Sequence, residues 1–175
     1  PTNFKAASFG DAADTEILRH LQKDIEAVRF ALDDGSEIEL PVKLKVHDGL
    51  FVPLAKWAML VAGNYRCVAA DGIRSIEEAV HSDLETTREI YHWVVDLCIS
   101  LGGSPDDFVP FEKYANAAKS LGSPSSAARA LAAGAKNIER VDKLVQTLAT
   151  SKGQQLDSLD ETVALVDGWL EKNRA

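Results

Sequence analysis

A cationic side chain lies within the most apolar stretch of this chain. Lys56 occurs in the segment FVPLAKWAML of residues 51–60, and the surrounding apolar run predicts a central, largely buried helix over residues 51–70. Burial favours the neutral form of a lysine, which lets the amine give or take a proton near neutral pH. Asn64 follows Lys56 by slightly more than two helical turns, so we expect both side chains on one helix face, about 12 Å apart along the axis. Such a face could hold a small polar ligand.

A simpler interpretation of the same two residues stays open at this point. A lysine on an apolar helix can extend its ammonium group to the surface while its methylene groups remain packed. An asparagine can hydrogen-bond within its own helix or cap a helix end. Under this interpretation Lys56 and Asn64 have structural roles only, and the pattern of residue types does not separate the two possibilities.

The motifs that hold nucleotides, metals or a hydrolytic serine do not occur in this sequence. A dinucleotide site needs Gly-x-Gly-x-x-Gly between a strand and a helix, and none of the 11 glycines has that spacing. No P-loop and no Gly-x-Ser-x-Gly sequence is present. The histidines lack the spacing of metal ligands; they are His20, His47, His81 and His92. We therefore expect neither a nucleotide nor a metal to bind to this chain by itself.

The composition is that of an ordinary folded domain with an acidic balance. Of the 175 residues, 46% are hydrophobic and 26% are charged, which is enough apolar material for a sizeable core. The 27 acidic residues outnumber the 19 lysines and arginines and give a formal charge of -8, which disfavours nucleic-acid binding. No segment has the length and apolar character of a membrane span, and residues 1–10 lack the pattern of a secretory signal.

Both cysteines lie within apolar helical patterns. Cys67 and Cys98 have no CxxC or Cys/His arrangement around them. We expect them to be buried thiols in a reducing compartment, which predicts a cytoplasmic protein.

The N-terminal part of the chain predicts one helix and one strand. Apolar residues recur every three or four positions over residues 15–32, which predicts an amphipathic helix capped by Asp14 or Thr15. Apolar and polar residues alternate over residues 37–46, and this is the one convincing strand pattern. Pro41 cannot donate a backbone hydrogen bond, so the strand should lie at a sheet edge or break into two pieces.

Beyond Gly49 the sequence predicts one helix after another. Three serine and glutamate pairs have the spacing of a capping box and mark helix starts: Ser75 with Glu78, Ser82 with Glu85, and Ser158 with Glu161. Helices are predicted over residues 51–70, 83–101, 104–114, 124–133, 137–150 and 158–172. The predicted fold class is mainly α, with a short N-terminal αβ segment over residues 1–48 followed by a six- or seven-helix domain over residues 49–175.

The order of several residues in this helical part resembles the C-terminal domain of ketopantoate reductases. The residues that carry the resemblance are Lys56, Asn64, the turn ADGI at 70–73, Gly102, PSS at 124–126, Gly134 and ERVD at 139–142. The similarity extends over residues 49–175, and residues 1–48 resemble the end of the cofactor domain or the linker. The resemblance implies a helical substrate-binding and dimerisation domain of the 6-phosphogluconate dehydrogenase C-terminal type.

The resemblance also implies an activity and a set of site residues. It implies an oxidoreductase of pantothenate biosynthesis that uses NADP to reduce a 2-oxo acid, with Lys56 as the catalytic proton donor. It places Asn64, Ser126 and Glu139 against the substrate. The hydride would come from a missing N-terminal Rossmann domain, so we expect this chain alone to be inactive and to bind no NADP. A cytoplasmic homodimer completes the expectation.

Three differences from the family pattern leave a second interpretation open. Leu60 stands where the family commonly has a further asparagine, and Glu139 aligns with the family's glutamate only after a one-residue insertion. An acidic residue late in the long helix is replaced near His92 or Trp93. A non-catalytic helical module for self-association or partner binding accounts for these differences as well as a changed substrate does.

Overall fold

The chain is mainly helical and divides into two compact units. A computed structural model describes residues 2–47 and 54–175. The two units are Pro1–Val52 and Pro53–Ala175. Helices account for 60% of the residues, and eight α-helices occur in the described part of the chain. The predicted class, mainly α with a short N-terminal αβ segment, is confirmed at this level.

The first unit combines one helix with two small sheets. Its elements are β1 (Thr2–Ala7), α1 (Ala12–Ala27), β2 (Arg29–Ala31), β3 (Glu37–Glu39) and β4 (Val42–His47). β1 and β4 pair in parallel along their whole lengths, whereas β2 and β3 form an antiparallel hairpin. α1 lies in the connection between the two parallel strands, because parallel neighbours need a long crossover. The Val46 amide of β4 donates a hydrogen bond to Gln22 Oε1 of α1 (2.8 Å), which ties the helix to the sheet.

The helix of this unit begins and ends earlier than the sequence predicts. Its N-cap is Asp11 and neither of the two predicted residues, because the Asp11 side chain accepts a hydrogen bond from the Ala13 amide (2.7 Å). The predicted end of the helix instead contains β2, which pairs with β3 across a turn at Gly35 (φ 79°). Pairing across this turn overrides the helical periodicity of residues 28–32.

The strands of the first unit agree with the sequence pattern only in part. Pro41 divides the predicted strand into β3 and β4, one of the two expected outcomes. The sequence does not predict β1, because TNFKAA lacks a regular alternation of apolar and polar residues. The backbone hydrogen bonds of β1 come from its pairing with β4, a contact that is remote in sequence.

The second unit contains seven α-helices in residues 54–175. They are α2 (Leu54–Met59), α3 (Ile76–His81), α4 (Leu84–Ser100), α5 (Phe111–Ala118), α6 (Ser126–Ala132), α7 (Val141–Ser151) and α8 (Asp157–Arg174). α2 packs against α4 at the centre of the core, where Ala55, Ala58, Tyr91 and Val94 are buried. Short 3-10 turns occur at Tyr65–Cys67 and Pro105–Asp107.

One of the three predicted capping boxes marks a helix start, and two do not. Ser75 caps α3, since its Oγ accepts from the Glu78 amide (3.0 Å). Ser82 ends α3 instead, and Asp83 caps α4 by accepting from the Thr86 amide (3.0 Å). Ser158 lies inside the first turn of α8, because the extended residue that precedes this helix is Leu156. Serine and aspartate compete as caps, and spacing alone does not decide between them.

The long helix predicted over residues 104–114 is also divided. The 3-10 turn at Pro105–Asp107 is followed by extended backbone at Phe108, and α5 begins only after Pro110. A proline disfavours helical backbone in the residue before it and has no amide to donate, so one helix cannot run through this point.

The predicted central helix changes its geometry halfway. Residues 51–53 lie outside the described residues, and from Leu54 the α-helix continues only to Met59. A π-helical segment, Leu60–Asn64, follows, and the Tyr65 amide donates to the Leu60 carbonyl, five residues earlier. Gly63 sits within this segment, where a Cβ atom would overlap the hydroxyl oxygen of Tyr114. The missing side chain of Gly63 therefore lets α5 approach the central segment.

Gly63→Ala should destabilise the protein by about 2 kcal/mol, because the new methyl group forces Tyr114 away and also lies 3.2 Å from Val80 Cγ2. Urea unfolding at neutral pH measures the effect. Gly168→Ala is the matched control: this helical glycine in α8 has open space at its Cβ position, and alanine there should stabilise by up to about 1 kcal/mol. Equal effects of the two substitutions would contradict the packing role of Gly63.

Candidate functional site

A cavity in the second unit brings together three of the four predicted site residues. Its volume is about 320 Å³, and Asn64, Ser126 and Glu139 all line it. The other lining residues are Leu60, Tyr65, Ala127, Ala130, Asn137 and Ile138. Asn64 is remote in sequence from Ser126 and Glu139, so the fold alone brings it to the same space.

Ser125 connects the segment that contains Asn64 to the helix that begins at Ser126. Ser125 is buried, and its hydroxyl donates to the Asn64 carbonyl (2.7 Å). The same oxygen accepts from the Ala128 amide (3.2 Å), which makes Ser125 the N-cap of α6. One hydroxyl thus fixes the end of the π-helical segment against the start of α6, and Ser126 is left to face the cavity.

The π-helical segment improves the alignment of Lys56 with Asn64. In an ideal α-helix the eight steps between them rotate by about 800°, which leaves the two side chains about 80° apart. A π turn accommodates one extra residue, so the same interval spans about seven α-helical steps and the offset falls to about 20°. On ideal geometry the π-helical segment thus brings the two side chains closer in direction, and the prediction that they share one helix face stays a prediction.

Glu139 is positioned by the side chain of Tyr65. The Tyr65 hydroxyl donates to the Glu139 carbonyl (2.6 Å) and accepts from the Val141 amide (2.9 Å). Tyr65 is buried, with 3% of its surface exposed, so water does not compete for these bonds. The sequence predicts a helix here from residue 137, whereas α7 begins at Val141 and Glu139 lies in the loop before it.

The buried carboxylate of Asp142, in the first turn of α7, holds the loop that contains Glu139 through Arg140. Asp142 has no exposed surface, and its Oδ2 lies 2.8 Å from Arg140 Nη2. Arg140 also contacts Asp167 of α8, and Lys143 Nζ lies 2.7 Å from the same carboxylate. Burial raises the pKa of Asp167, but hydrogen bonds from Arg140 and Lys143 outweigh this effect and hold the pKa below its ordinary value. These ion pairs connect the start of α7 to α8.

The cavity is lined by both polar and apolar side chains. Asn64, Ser126 and Glu139 offer an amide, a hydroxyl and a carboxylate, and among the described residues no hydrogen bond engages these three side chains. The apolar lining comes from Leu60, Ala127, Ala130 and Ile138. A small molecule with a hydrogen-bonding head and an aliphatic part matches this distribution.

Lys56 does not line this cavity, and its side chain is exposed. This exposure agrees with the interpretation in which Lys56 extends its ammonium group to the surface, and not with the one in which the cation is buried. The four neighbours that flank it in α2 are buried; they are Leu54, Ala55, Trp57 and Ala58. α2 buries most of its circumference, and Lys56 occupies the remaining exposed strip. The catalytic role of Lys56 stays a prediction.

Sequence reasoning missed the two side chains that organise the cavity. Tyr65 and Ser125 carry the hydrogen bonds that bring its walls together. A tyrosine in an apolar helix is a usable signal, because a buried phenol hydroxyl needs a partner, although the sequence does not reveal which one. The two adjacent serines at residues 125 and 126 give no signal of their different roles.

Comparison with family models, with curated proteins and with solved structures finds no match to this chain. Within residues 2–47 and 54–175, no helix combines the length and the hydrophobicity needed to cross a membrane. The same residues contain no group of three or more His, Cys, Asp or Glu side chains that could hold a metal ion. The geometry of the cavity is therefore the main guide to function.

Tyr65→Phe should lower the free energy of unfolding by about 1–3 kcal/mol, since it leaves the Glu139 carbonyl and the Val141 amide without their partner. Urea unfolding measures the loss, and amide NMR shifts should change in residues 137–141. Tyr91→Phe is the matched control, because the Tyr91 hydroxyl donates to the Val109 carbonyl, away from the cavity. Undisturbed amide shifts at residues 137–141 in Tyr65→Phe would contradict the positioning role of Tyr65.

The pH dependence of stability should report the same hydroxyl. Burial raises the pKa of Tyr65 from 10.0 to about 12, with smaller contributions from neighbouring carboxylates. Below pH 10 the stabilisation is complete; as the pH rises towards 12 the unfolded tyrosine ionises first and stability falls. Urea unfolding between about pH 8 and 11 should show a shallower decline for Tyr65→Phe than for the unchanged protein. Parallel declines would show that Tyr65 ionises equally in both states.

Proposed function

We propose that this chain is the substrate-binding part of an NADP-dependent 2-oxo acid reductase that resembles ketopantoate reductase. The observation that carries the proposal is the convergence of Asn64, Ser126 and Glu139 on one cavity. The resemblance in sequence order selects these residues independently of which segments meet in space. A helical domain of the 6-phosphogluconate dehydrogenase C-terminal type is part of the proposal.

The chemistry of the cavity suits a small 2-oxo or 2-hydroxy acid. The Asn64 amide and the Ser126 hydroxyl can donate to a carboxylate or carbonyl oxygen, and the Glu139 carboxylate can accept from a hydroxyl group. Leu60 and Ile138 can contact an aliphatic substituent on the carbon chain. Leu60, which replaces a polar residue of the family pattern, therefore favours an acid whose tail is apolar at that position.

Lys56 is the proposed proton donor. In the reduction a hydride reaches the carbonyl carbon, and a protonated lysine supplies a proton to the carbonyl oxygen and stabilises its developing charge. In this proposal a substrate that bonds to Asn64 extends out of the cavity towards α2, where it approaches the ammonium group of Lys56. A nucleotide-binding domain outside this chain would hold NADPH, which would supply the hydride, since the sequence carries no dinucleotide motif.

The first unit fits the proposed end of a cofactor domain or a linker. Parallel sheets in proteins are normally covered on both faces and contain more than two strands. Among the residues that the structure describes, β1 and β4 are the only strands that pair in parallel. Several large apolar side chains of the unit are exposed, namely Phe4, Phe9, Ile17, Leu21, Val28, Phe30, Leu32 and Ile38. A larger α/β sheet encoded upstream of Pro1 would cover such a surface.

A cytoplasmic homodimer is part of the same proposal. Cys67 and Cys98 are buried and unpaired, which agrees with a reducing compartment. The alternative function, a non-catalytic helical module that binds a partner or itself, is favoured by one observation, the position of Lys56 outside the cavity. The two functions differ in what Lys56→Ala does to the complete gene product: a large loss of turnover under the first, and none under the second.

Ligand binding by the chain itself tests the proposal. We expect 2-oxoisovalerate, an aliphatic 2-oxo acid, to cause saturable amide NMR shifts around Asn64 and Ser126. Asn64→Ala and Ser126→Ala should each weaken binding about tenfold, because each removes one hydrogen bond to the ligand. Ser120→Ala is the control, since the exposed Ser120 hydroxyl bonds only to the Ala117 carbonyl within its own turn.

Two results would contradict the proposal. One is the absence of saturable shifts at the cavity, and the other is equal binding by Ser120→Ala and Ser126→Ala. Titration with NADPH, followed by tryptophan fluorescence, should show no saturable binding to the chain alone. Tight NADPH binding would mean that the nucleotide site lies within these residues.

A further inference from the structure

A second cavity lies in the same unit and shares no lining residue with the first. Its volume is about 680 Å³. Three parts of the chain form its walls: the segment after the central helix, the start of α4, and the first turns of α8. Tyr65 lines the first cavity and the next residue, Arg66, lines the second, so one 3-10 turn separates the two spaces.

Two arginines form the first wall of this cavity. The Arg66 side chain is half-buried and donates to Thr87 Oγ1 and to the Ala62 carbonyl, and Arg74 Nε donates to the Arg66 carbonyl (2.9 Å). Within residues 2–47 and 54–175, no carboxylate lies within 4.0 Å of either guanidinium group. Partly buried guanidinium groups normally bind a carboxylate or phosphate, so this pair lacks an anionic partner.

The other two walls have the opposite charge. Asp83 and Glu89 lie on the α4 wall, and Asp157 and Glu161 lie on the α8 wall. A simple anion in this space would meet four carboxylates, and a simple cation would meet two guanidinium groups. A molecule that carries both charges can place its anionic group against the arginines and its cationic group against the carboxylates of one acidic wall.

The remaining lining residues limit what lies between the two charges. Val68, Leu156 and Leu165 add an apolar surface to the cavity. The Oγ atom of Ser158 is buried at the same place and has no hydrogen-bond partner among the described residues. The space therefore combines a cationic wall, two acidic walls and an aliphatic surface.

We propose that this cavity is a second ligand site, which binds a small zwitterion with an aliphatic side chain, such as a free aliphatic amino acid. The carboxylate of the ligand binds Arg66 and Arg74, its ammonium group binds the carboxylates of α4 or α8, and its side chain contacts Val68 and Leu165. This site is independent of the 2-oxo acid cavity and of any reductase activity.

Three matched probes test the site on the chain itself. L-Leucine carries both charges, isocaproate lacks the ammonium group, and isoamylamine lacks the carboxylate. We expect L-leucine to cause saturable amide NMR shifts in residues 66–74 and 155–162, with the two single-charge probes binding about tenfold more weakly or less. Absence of saturable shifts with L-leucine would overturn the proposal, and equal binding of either single-charge probe would show a simple charged patch instead.

Two substitutions on different walls separate the site from a general charge effect. Arg74→Gln and Glu161→Gln should each weaken L-leucine binding about tenfold, because each removes one charge that the ligand uses. Arg129→Gln removes an exposed cation of α6 outside this cavity and should leave binding unchanged. Thermal unfolding checks that each variant is folded. If the folded Glu161→Gln and Arg129→Gln variants both bind as the unchanged chain does, the assignment of the ammonium end is wrong.

Discussion

The second unit depends on the hydrogen bonds made by polar groups at the buried end of its central helix. Between Leu54 and Cys67 the chain crosses the core, and polar groups there must find partners because water is excluded. Tyr65 and Ser125 supply hydrogen bonds from two directions. Tyr65 reaches the loop before α7, and Ser125 reaches the Asn64 carbonyl from the start of α6. The same two hydroxyls therefore close the core and shape the cavity beside it.

The longer helices of this unit could be predicted because their apolar residues recur with helical spacing and their faces pack on one core. α4 and α8 lie within one or two residues of their predicted bounds. The exact starts of the helices could not be predicted as well: Asp83 rather than Ser82 caps α4, and both residue types are good caps. β1 and the π-helical segment could not be predicted, because each depends on contacts remote in sequence: pairing with β4 in one case and the approach of Tyr114 to Gly63 in the other.

In the candidate site too, residue types could be predicted from the sequence, whereas contacts between distant segments could not. Asn64, Ser126 and Glu139 could be selected from residue order, and they do meet at one cavity. Lys56 could be recognised as unusual in an apolar stretch, but its exposure depends on which strip of α2 is left uncovered by α4 and the rest of the core. The supporting contacts of Tyr65 and Ser125 lie between segments more than sixty residues apart, beyond what a local pattern records.

The π-helical segment has a consequence for how related chains should be aligned. It holds one residue more than an α-helix with the same number of turns, so a chain that lacks one residue between Leu60 and Asn64 can replace it with regular α-helix. Such a deletion would keep the residues on both sides of the segment in place. A gap of one residue at this point is therefore a length difference that the fold can absorb, whereas a gap beside Tyr65 on its other side would pull the tyrosine out of the core.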